Sequence, residues 1–267
     1  MVSALAVDDV AAAPAFTHPR AQVGPRLYVG RQGIFGHDGQ VHGYEFLYRT
    51  GRSAPVRVDL WPAEAQDRAT LRVLQATFSP LGVRALASDA LVFVNFTRAF
   101  LVGELPLPEE PNRLVVEVVE SVRADARVLA GLRRLRARGF RVALDDFVGL
   151  TGQVAMLPYA DYVKVDVRDI EQRGPRLVEL ARSHGATLVA ERIEHPDQMA
   201  ACRELGFDLF QGFHLEPTYV LNRTPVPSPQ VERPAPRALQ AVRPRGPVLE
   251  TTASLGTGAP ELGRAAR

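Results

Sequence analysis

The chain has 267 residues, of which 46% are hydrophobic and 23% are charged, and its net charge is +2. This is the composition of a globular protein with a sizeable core, and the small net charge gives no global attraction to nucleic acid polymers or to membranes. The single cysteine, Cys202, excludes an intrachain disulfide framework and fits a reducing cytoplasm, and no apolar run approaches the ~20 residues that span a bilayer.

The two ends of the chain lack the periodicity of regular secondary structure. Residues 1–25 are rich in Ala, Val and Pro and carry Asp8 and Asp9 without a basic start, so they are predicted to be a flexible leader and not a signal peptide. Residues 222–267 are dominated by Pro, Arg, Ala and Gly and are predicted to be a disordered tail. The folded domain is therefore predicted to cover residues 26–221.

Eight apolar, β-prone segments recur within this domain. Most are continuous apolar runs, as expected for strands that are covered on both faces. They are Leu27–Phe35, Gly43–Arg49, Leu91–Phe96, Leu114–Val119, Arg141–Phe147, Tyr162–Val167, Thr187–Ile193 and Leu209–Phe213. The run Gly36–Gly39 has the composition of a hairpin turn, so the first strand is expected to be antiparallel to the second.

Segments with helical spacing of apolar residues separate several of these strands. They are Ala63–Phe78, Ala124–Arg138, Leu177–His184 and Pro196–Leu205, whereas the helix after the fifth strand is expected to be nearly missing. The alternation predicts an α/β fold, a (β/α)8 TIM-like barrel with an antiparallel first strand. A doubly wound open sheet is the alternative, which the absence of a GxGxxG sequence after the first strand disfavours.

Polar residues fall at or near the C-terminal ends of seven of the predicted strands, where the active sites of such barrels lie. They are Glu45, Arg49, Asn95, Glu117, Glu120, Asp145, Asp146, Lys164, Asp166, Glu191, Glu194 and Gln211. Any one of them has a purely structural explanation, such as a helix N-cap for the Asp-Asp pair. Together they direct carboxylates, amides and one lysine toward one end of the barrel.

This concentration of acids predicts a metal site. Two carboxylates ~4 Å apart repel each other by roughly 4 kcal/mol at an effective dielectric constant near 20, so a cluster of them requires cations. Oxygen ligands without Cys or His suit Mg²⁺ or Mn²⁺, and adjacent aspartates can bridge two such ions for attack on phosphorus. Lys164 is the only lysine beside 31 arginines, and its compact ammonium is predicted to position the attacking water or to take up its proton.

The ordered motifs along the chain resemble those of EAL domains, the cyclic di-GMP phosphodiesterases of bacteria. The matching runs are Arg31–Phe35, Gly43–Arg49, Phe93–Phe96, Val116–Glu120, Leu144–Phe147, Lys164–Asp166, Ala190–Glu194 and Phe210–Phe213. They span about residues 27–217, and the sequence of these motifs is most similar to the EAL half of proteins that pair EAL with an HDOD domain.

The resemblance implies a role for each matching position, hydrolysis of cyclic di-GMP to pGpG, and two bound Mg²⁺ or Mn²⁺ ions. The metal ligands would be Glu45, Asn95, Glu117, Asp145 and Asp146, and the residues that activate water would be Lys164 and Glu191. Contact with the substrate, or ordering of the site, would fall to Gln32, Arg49 and Gln211. Loops would be ordered by Glu120, Asp166 and Glu194, with Glu120 holding the loop after Asp146. A homodimer, and a protein partner for the tail, are further expectations.

Two departures from the family pattern leave a second interpretation open. The signature Glu-Ala-Leu is Glu45-Phe46-Leu47 here, and the run after Asp146 reads Phe147-Val148-Gly149-Leu150 in place of a Gly- and Ser-rich segment. Such loop changes often accompany lost activity in the family. The alternatives to a phosphodiesterase are a non-catalytic module that binds cyclic di-GMP or a protein partner and, less favoured, an unrelated metal-dependent barrel enzyme.

Overall fold

The computed structural model describes residues 27–51, 57–78 and 82–223. The described residues form nine strands and eight α-helices. They are, in chain order, β1 Leu27–Gly36, β2 Val41–Arg49, α1 Ala63–Thr77, α2 Gly82–Ala87, β3 Leu91–Phe96, α3 Arg98–Leu101, β4 Leu114–Val118, α4 Ala126–Ala137, β5 Arg141–Leu144, α5 Thr151–Met156, β6 Tyr162–Asp166, α6 Val167–Arg173, α7 Pro175–Arg182, β7 Thr187–Glu191, α8 Pro196–Glu204, β8 Leu209–Phe210 and β9 Tyr219–Arg223.

The strands close into a barrel. Strands β2 to β8 are parallel neighbours in sequence order, and β1 completes the ring because it pairs antiparallel with both β2 and β8. The turn over Gly36–Gly39 joins β1 to β2, with Gly39 in the left-handed region at φ 75°. These observations confirm the predicted (β/α)8 barrel with an antiparallel first strand.

The interior of the barrel contains two successive layers of inward-pointing side chains. The lower layer is apolar and takes one residue from each of seven strands: Ile34, Phe93, Val115, Ala143, Tyr162, Val189 and Leu209. Strand side chains alternate, so the residue two positions closer to the upper end of each strand points inward again. Those positions lie within β1, β3, β4, β6 and β7 or directly after β5 and β8, and they are Gln32, Asn95, Glu117, Lys164, Glu191, Asp145 and Gln211. The period of the strands therefore places an apolar floor directly beneath the polar cluster.

The remaining core lies between the barrel wall and the helices, which cover its outer face. Large side chains in this layer are fully buried, among them Phe96, Phe100, Leu132 and Phe207. None of the helices in the described part of the chain is both long enough and apolar enough to cross a membrane.

Several predicted boundaries were wrong for identifiable reasons. The fifth and seventh predicted strands run too far, because Asp146 and Arg192 adopt left-handed backbone conformations, with φ 41° and 57°, that end the strands. The helix predicted to be nearly missing is present as α5, where the weak helix former Gly152 concealed it. Helices α2, α3 and α6 were not predicted.

The two predicted terminal segments fall largely outside the described residues. The leader, residues 1–25, lies wholly outside, and so does the tail beyond residue 223. The final strand, β9, was not predicted and extends two residues past the expected domain boundary at residue 221. It pairs antiparallel with the first half of β1.

Candidate active site

The centre of the site is the ammonium group of Lys164, which β6 carries in the middle of the barrel and which is fully buried. Its Nζ atom lies 2.8 Å from Glu117 Oε1, 2.8 Å from Glu191 Oε1, 2.9 Å from Asp145 Oδ1 and 3.3 Å from Glu45 Oε2. Four carboxylates from four different strand ends thus converge on one lysine.

The cluster has too little positive charge. Four carboxylates against one ammonium leave three formal negative charges uncompensated in a place where the side chains are almost entirely shielded from water. Burial, reinforced by the neighbouring acids, raises the pKa of Glu117 and of Glu191 well above the usual range. Burial alone lowers the pKa of Lys164, but the surrounding carboxylates outweigh it and hold that pKa well above normal. The lysine therefore stays charged, and the site favours additional cations.

Buried oxygen atoms without hydrogen-bond partners point to where such cations could bind. Asn95 Oδ1, Gln211 Oε1 and Glu117 Oε2 are buried and accept no hydrogen bond, whereas Glu117 Oε1 contacts the Lys164 ammonium. Unpaired buried acceptors are energetically costly and call for an explanation, such as an ion. Oxygen donors without sulfur or imidazole are the set that hard divalent cations prefer.

A second group of acids lies at the rim of the same site. Ligand oxygens of Glu120, Asp145 and Asp146 come within 4.8 Å of one another. Burial, and then the charge of Asp145, raises the pKa of Asp146 to about 6. Asp145 belongs to both groups, so the deep and the rim carboxylates form one continuous donor set. The residues present therefore fit divalent cations.

Two glutamines from neighbouring strands fix the position of Glu45. Gln211 Nε2 donates to Glu45 Oε2 at 2.6 Å and to Gln32 Oε1 at 3.3 Å. Gln32 in turn donates to the backbone carbonyl of Glu216, whose carboxylate accepts the amide of Gly33 at 2.6 Å. Gln32 and Gln211 were predicted to contact the substrate or to order the site, and in this structure their contacts hold a carboxylate; contact with the substrate stays a prediction. Glu216 was not predicted.

Gln153 closes the loop that follows Asp146. Its Oε1 accepts the amides of Val148 and Leu150 at 2.9 and 3.2 Å, and its Nε2 donates to the Asp146 carbonyl at 3.0 Å. Glu120, which was predicted to hold this loop, lies beside Asp145 and Asp146 at its start, and its role stays a prediction. Gln153 was missed, although a glutamine at the third position of a helix is a known N-terminal capping signal.

We expect Gln153→Ala to loosen this loop without unfolding the barrel. Three hydrogen bonds are lost at a residue that is 5% exposed, so the free energy of unfolding should fall by about 1–3 kcal/mol. Hydrogen exchange of the Val148 and Leu150 amides should accelerate by roughly tenfold or more. The matched control is Gln198→Ala, because Gln198 caps α8 by accepting two loop amides at the same distances of 2.9 and 3.2 Å. Unchanged exchange at Val148 in Gln153→Ala would contradict the assignment.

Two predicted loop-ordering residues lie apart from the Lys164 cluster. Asp166 caps α6 by accepting the amide of Arg168 at 2.9 Å and forms ion pairs with Arg168 and Arg192. Glu194 has an exposed side chain, and its amide donates to Gln198.

A cavity of about 520 Å³ borders the rim of the site, where Asn95, Glu120 and Asp146 line it. Its lining includes Tyr48, Arg49, Arg57, Asn95, Glu120, Asp146, Arg168 and Arg192. The wall thus contains acids and an amide as well as arginines. This combination suits a ligand with negative charge, which the arginines attract directly and which cations bound by the acids would also attract.

The family model described as "EAL domain" matches residues 88–218. The chain contains an EAL domain. It is 32% identical over 191 residues to the cyclic di-GMP phosphodiesterase CdgJ of Vibrio cholerae, covering 70% of this chain and 43% of that protein. It is 28% identical over 194 residues to the uncharacterized protein YuxH of Bacillus subtilis, covering 70% and 46%. The chain therefore spans less than half the length of each of these relatives.

Solved structures share the EAL fold. BlrP1 of Klebsiella pneumoniae, crystallised with manganese and cyclic di-GMP, has a TM-score of 0.59 at 24% identity, with 78% of this chain and 59% of that chain covered. The same protein with calcium and cyclic di-GMP gives a TM-score of 0.55 over 78% and 61%. At this level of identity the likeness establishes the fold.

Proposed function

We propose that this EAL domain hydrolyses cyclic di-GMP to linear pGpG. The observation that carries the proposal is the convergence of four carboxylates on Lys164, in one donor set with Asp146, which lines a cavity together with several arginines. The name of CdgJ and the cyclic di-GMP complexes of BlrP1 support the same substrate. Water adds to one phosphorus atom, the bond from that phosphorus to the 3′ oxygen breaks, and that oxygen leaves as a hydroxyl with the proton that the water gave up. The ring thereby opens to a linear dinucleotide with a 5′ phosphate.

The residues take separate parts in this reaction. Glu45, Asn95, Glu117, Asp145 and Asp146 would hold two divalent cations, Mg²⁺ or Mn²⁺. Bound there, such ions stabilise negative charge on the phosphoryl oxygens and acidify water. Lys164 and Glu191, 2.8 Å apart, orient the attacking water, and the Glu191 carboxylate takes its proton. Arg49 contacts the substrate from the cavity wall, while Gln32 and Gln211 keep Glu45 in place.

The test is incubation of the purified chain with cyclic di-GMP and Mn²⁺, with chromatographic detection of pGpG. We expect product from the wild type, none after chelation with EDTA, and none from Asp145→Asn. Mn²⁺ at about 100 times its Kd should stabilise the substrate-free protein by about 2.7 kcal/mol, or raise its Tm by roughly 5–10 °C.

The contrary results separate the alternatives. Binding of cyclic di-GMP without product would favour the non-catalytic module that the altered loop suggested. Failure to bind the dinucleotide at all would remove the proposed substrate. The predicted homodimer, the partner for the tail and the cytoplasmic location stay predictions.

A further inference from the structure

Arg192 has an unusual backbone conformation for a residue with a bulky side chain. It follows β7 directly, has φ 57°, and leaves its side chain 56% exposed. Left-handed φ values are disfavoured for residues other than glycine, and those that persist are held by their surroundings and cluster at functional sites. A glycine would occupy this position without strain, so the presence of an arginine here requires a reason.

The side chain of Arg192 shares one acid with a second arginine. The Asp166 carboxylate, only 5% exposed, is held by Arg168, whose Nε lies 3.1 Å from both carboxylate oxygens. Arg192 Nε lies 3.0 Å from Asp166 Oδ2, and Asp166 is the only acid at ion-pair distance from Arg192 among the described residues. Two guanidinium groups against one carboxylate leave a net positive charge, and the terminal N–H groups of Arg192 are available to another anion.

This charged pair borders the cavity at the rim of the active site. Arg168 and Arg192 both line it, and so does Asp146. Of the other arginines in the lining, Arg57 is neutralised by a bidentate contact with Asp59 at 2.7 and 3.0 Å. Arg49 donates to the Tyr48 carbonyl. The excess positive charge of Arg168 and Arg192 therefore lies on two cavity-lining side chains that are more than half exposed, whereas the four carboxylates around Lys164 are at most 13% exposed.

We propose that Arg192, braced by Asp166 and Arg168, binds the second phosphodiester of the substrate, the one that is not hydrolysed. The inference rests on the proposed function, because cyclic di-GMP carries two phosphodiesters and only one can lie over the carboxylate cluster. Arg is suited to this contact, since its planar fork matches two phosphate oxygens. Arg192 thereby selects cyclic dinucleotides over ligands that carry a single phosphodiester.

The experiment compares Arg192→Gly with the wild type for two ligands, cyclic di-GMP and the linear dinucleotide GpG, which has one phosphodiester. Dissociation constants are measured by calorimetry in Ca²⁺, the ion present in one BlrP1 complex. We expect Arg192→Gly to weaken cyclic di-GMP binding by about tenfold, the typical effect of a lost charge-assisted hydrogen bond, and GpG binding by less than about twofold. Arg192→Lys should restore part of the affinity, because it keeps the charge but loses the fork.

Protein stability separates a binding role from a structural one. Glycine tolerates φ 57°, so the relief of strain offsets the lost ion pair and the Tm of Arg192→Gly should stay within about 2–4 °C of wild type. The matched control is Arg127→Ala, which removes a guanidinium paired with Glu104 on the outside of the barrel and should leave both dissociation constants unchanged.

Three results would overturn the proposal. Unchanged cyclic di-GMP affinity in Arg192→Gly, with or without a fall in Tm, excludes a substrate contact by Arg192 and leaves the proposed function standing. An equal loss of affinity for GpG and cyclic di-GMP excludes the second phosphodiester as its ligand. Failure of the wild type to bind cyclic di-GMP overturns the proposed function together with this inference.

Discussion

Replacing Lys164 by methionine is expected to destabilise the metal-free protein strongly and to abolish hydrolysis. The substitution keeps an unbranched side chain of similar length but removes the charge that lies within 3.3 Å of four carboxylates. Removing one partner from a buried ion pair leaves uncompensated charge, which typically costs about 3–5 kcal/mol. Chemical denaturation in EDTA measures the loss, and release of pGpG measures activity.

Lys164→Arg distinguishes the charge of this side chain from its shape. Arginine keeps the positive charge, but its planar guanidinium is larger than an ammonium and cannot take the place of a point charge among four converging oxygens. We expect this variant to lose activity as Lys164→Met does while recovering part of the stability. Full activity in Lys164→Arg would show that charge suffices. It would also mean that chemistry does not explain why this position is a lysine in a chain whose 31 other basic residues, apart from histidine, are arginines.

The barrel was predictable because its signals are local and repeated. Continuous apolar runs mark strands covered on both faces, and the Gly36–Gly39 turn marks the antiparallel start. The boundaries were less predictable, because strand ends at Asp146 and Arg192 depend on left-handed backbone conformations that are uncommon outside glycine. Tertiary contacts stabilise those conformations, such as the hydrogen bond from Gln153 to the Asp146 carbonyl and the contact of Arg192 with Asp166.

The convergence of the acids was predictable for a related reason. Strand side chains alternate, so Glu117, Lys164 and Glu191 had to point inward together once the barrel was accepted. The directions of Asp166 and Glu120 could not be read in this way, because both lie at or beyond a strand end, where alternation stops applying. Contacts across distant parts of the chain, such as the one between Glu216 and Gly33, have no signature in local sequence.

Glu117→Gln is expected to shift stability in the opposite direction to Lys164→Met. Glu117 is fully buried, and the raised pKa shows that folding disfavours its charged form despite the contact with Lys164. A neutral glutamine of the same shape should therefore increase the free energy of unfolding in EDTA by about 1–3 kcal/mol. Hydrolysis should fall by about 10²–10³, and the stabilisation by Mn²⁺ should shrink, because a cation ligand is lost.

The matched control for this substitution is Glu104→Gln on the protein surface. Glu104 is 54% exposed and pairs with Arg127, so its neutralisation should change stability by less than about 0.5 kcal/mol. A Glu117→Gln protein less stable than wild type in EDTA would contradict the expected sign. It would mean that the contact of Glu117 with Lys164 outweighs the burial of its charge.

The double variant Lys164→Met/Glu117→Gln separates net charge from geometry. Against the three formal negative charges of the wild-type cluster, Lys164→Met has four and Glu117→Gln has two, so the double variant returns to three. If net charge governs stability, its free energy of unfolding in EDTA should return toward that of wild type. We expect only partial recovery, because the ammonium also holds the remaining carboxylates at fixed distances, and contacting residues are not additive. Activity should stay absent, since restoring the charge count does not restore the group that orients water.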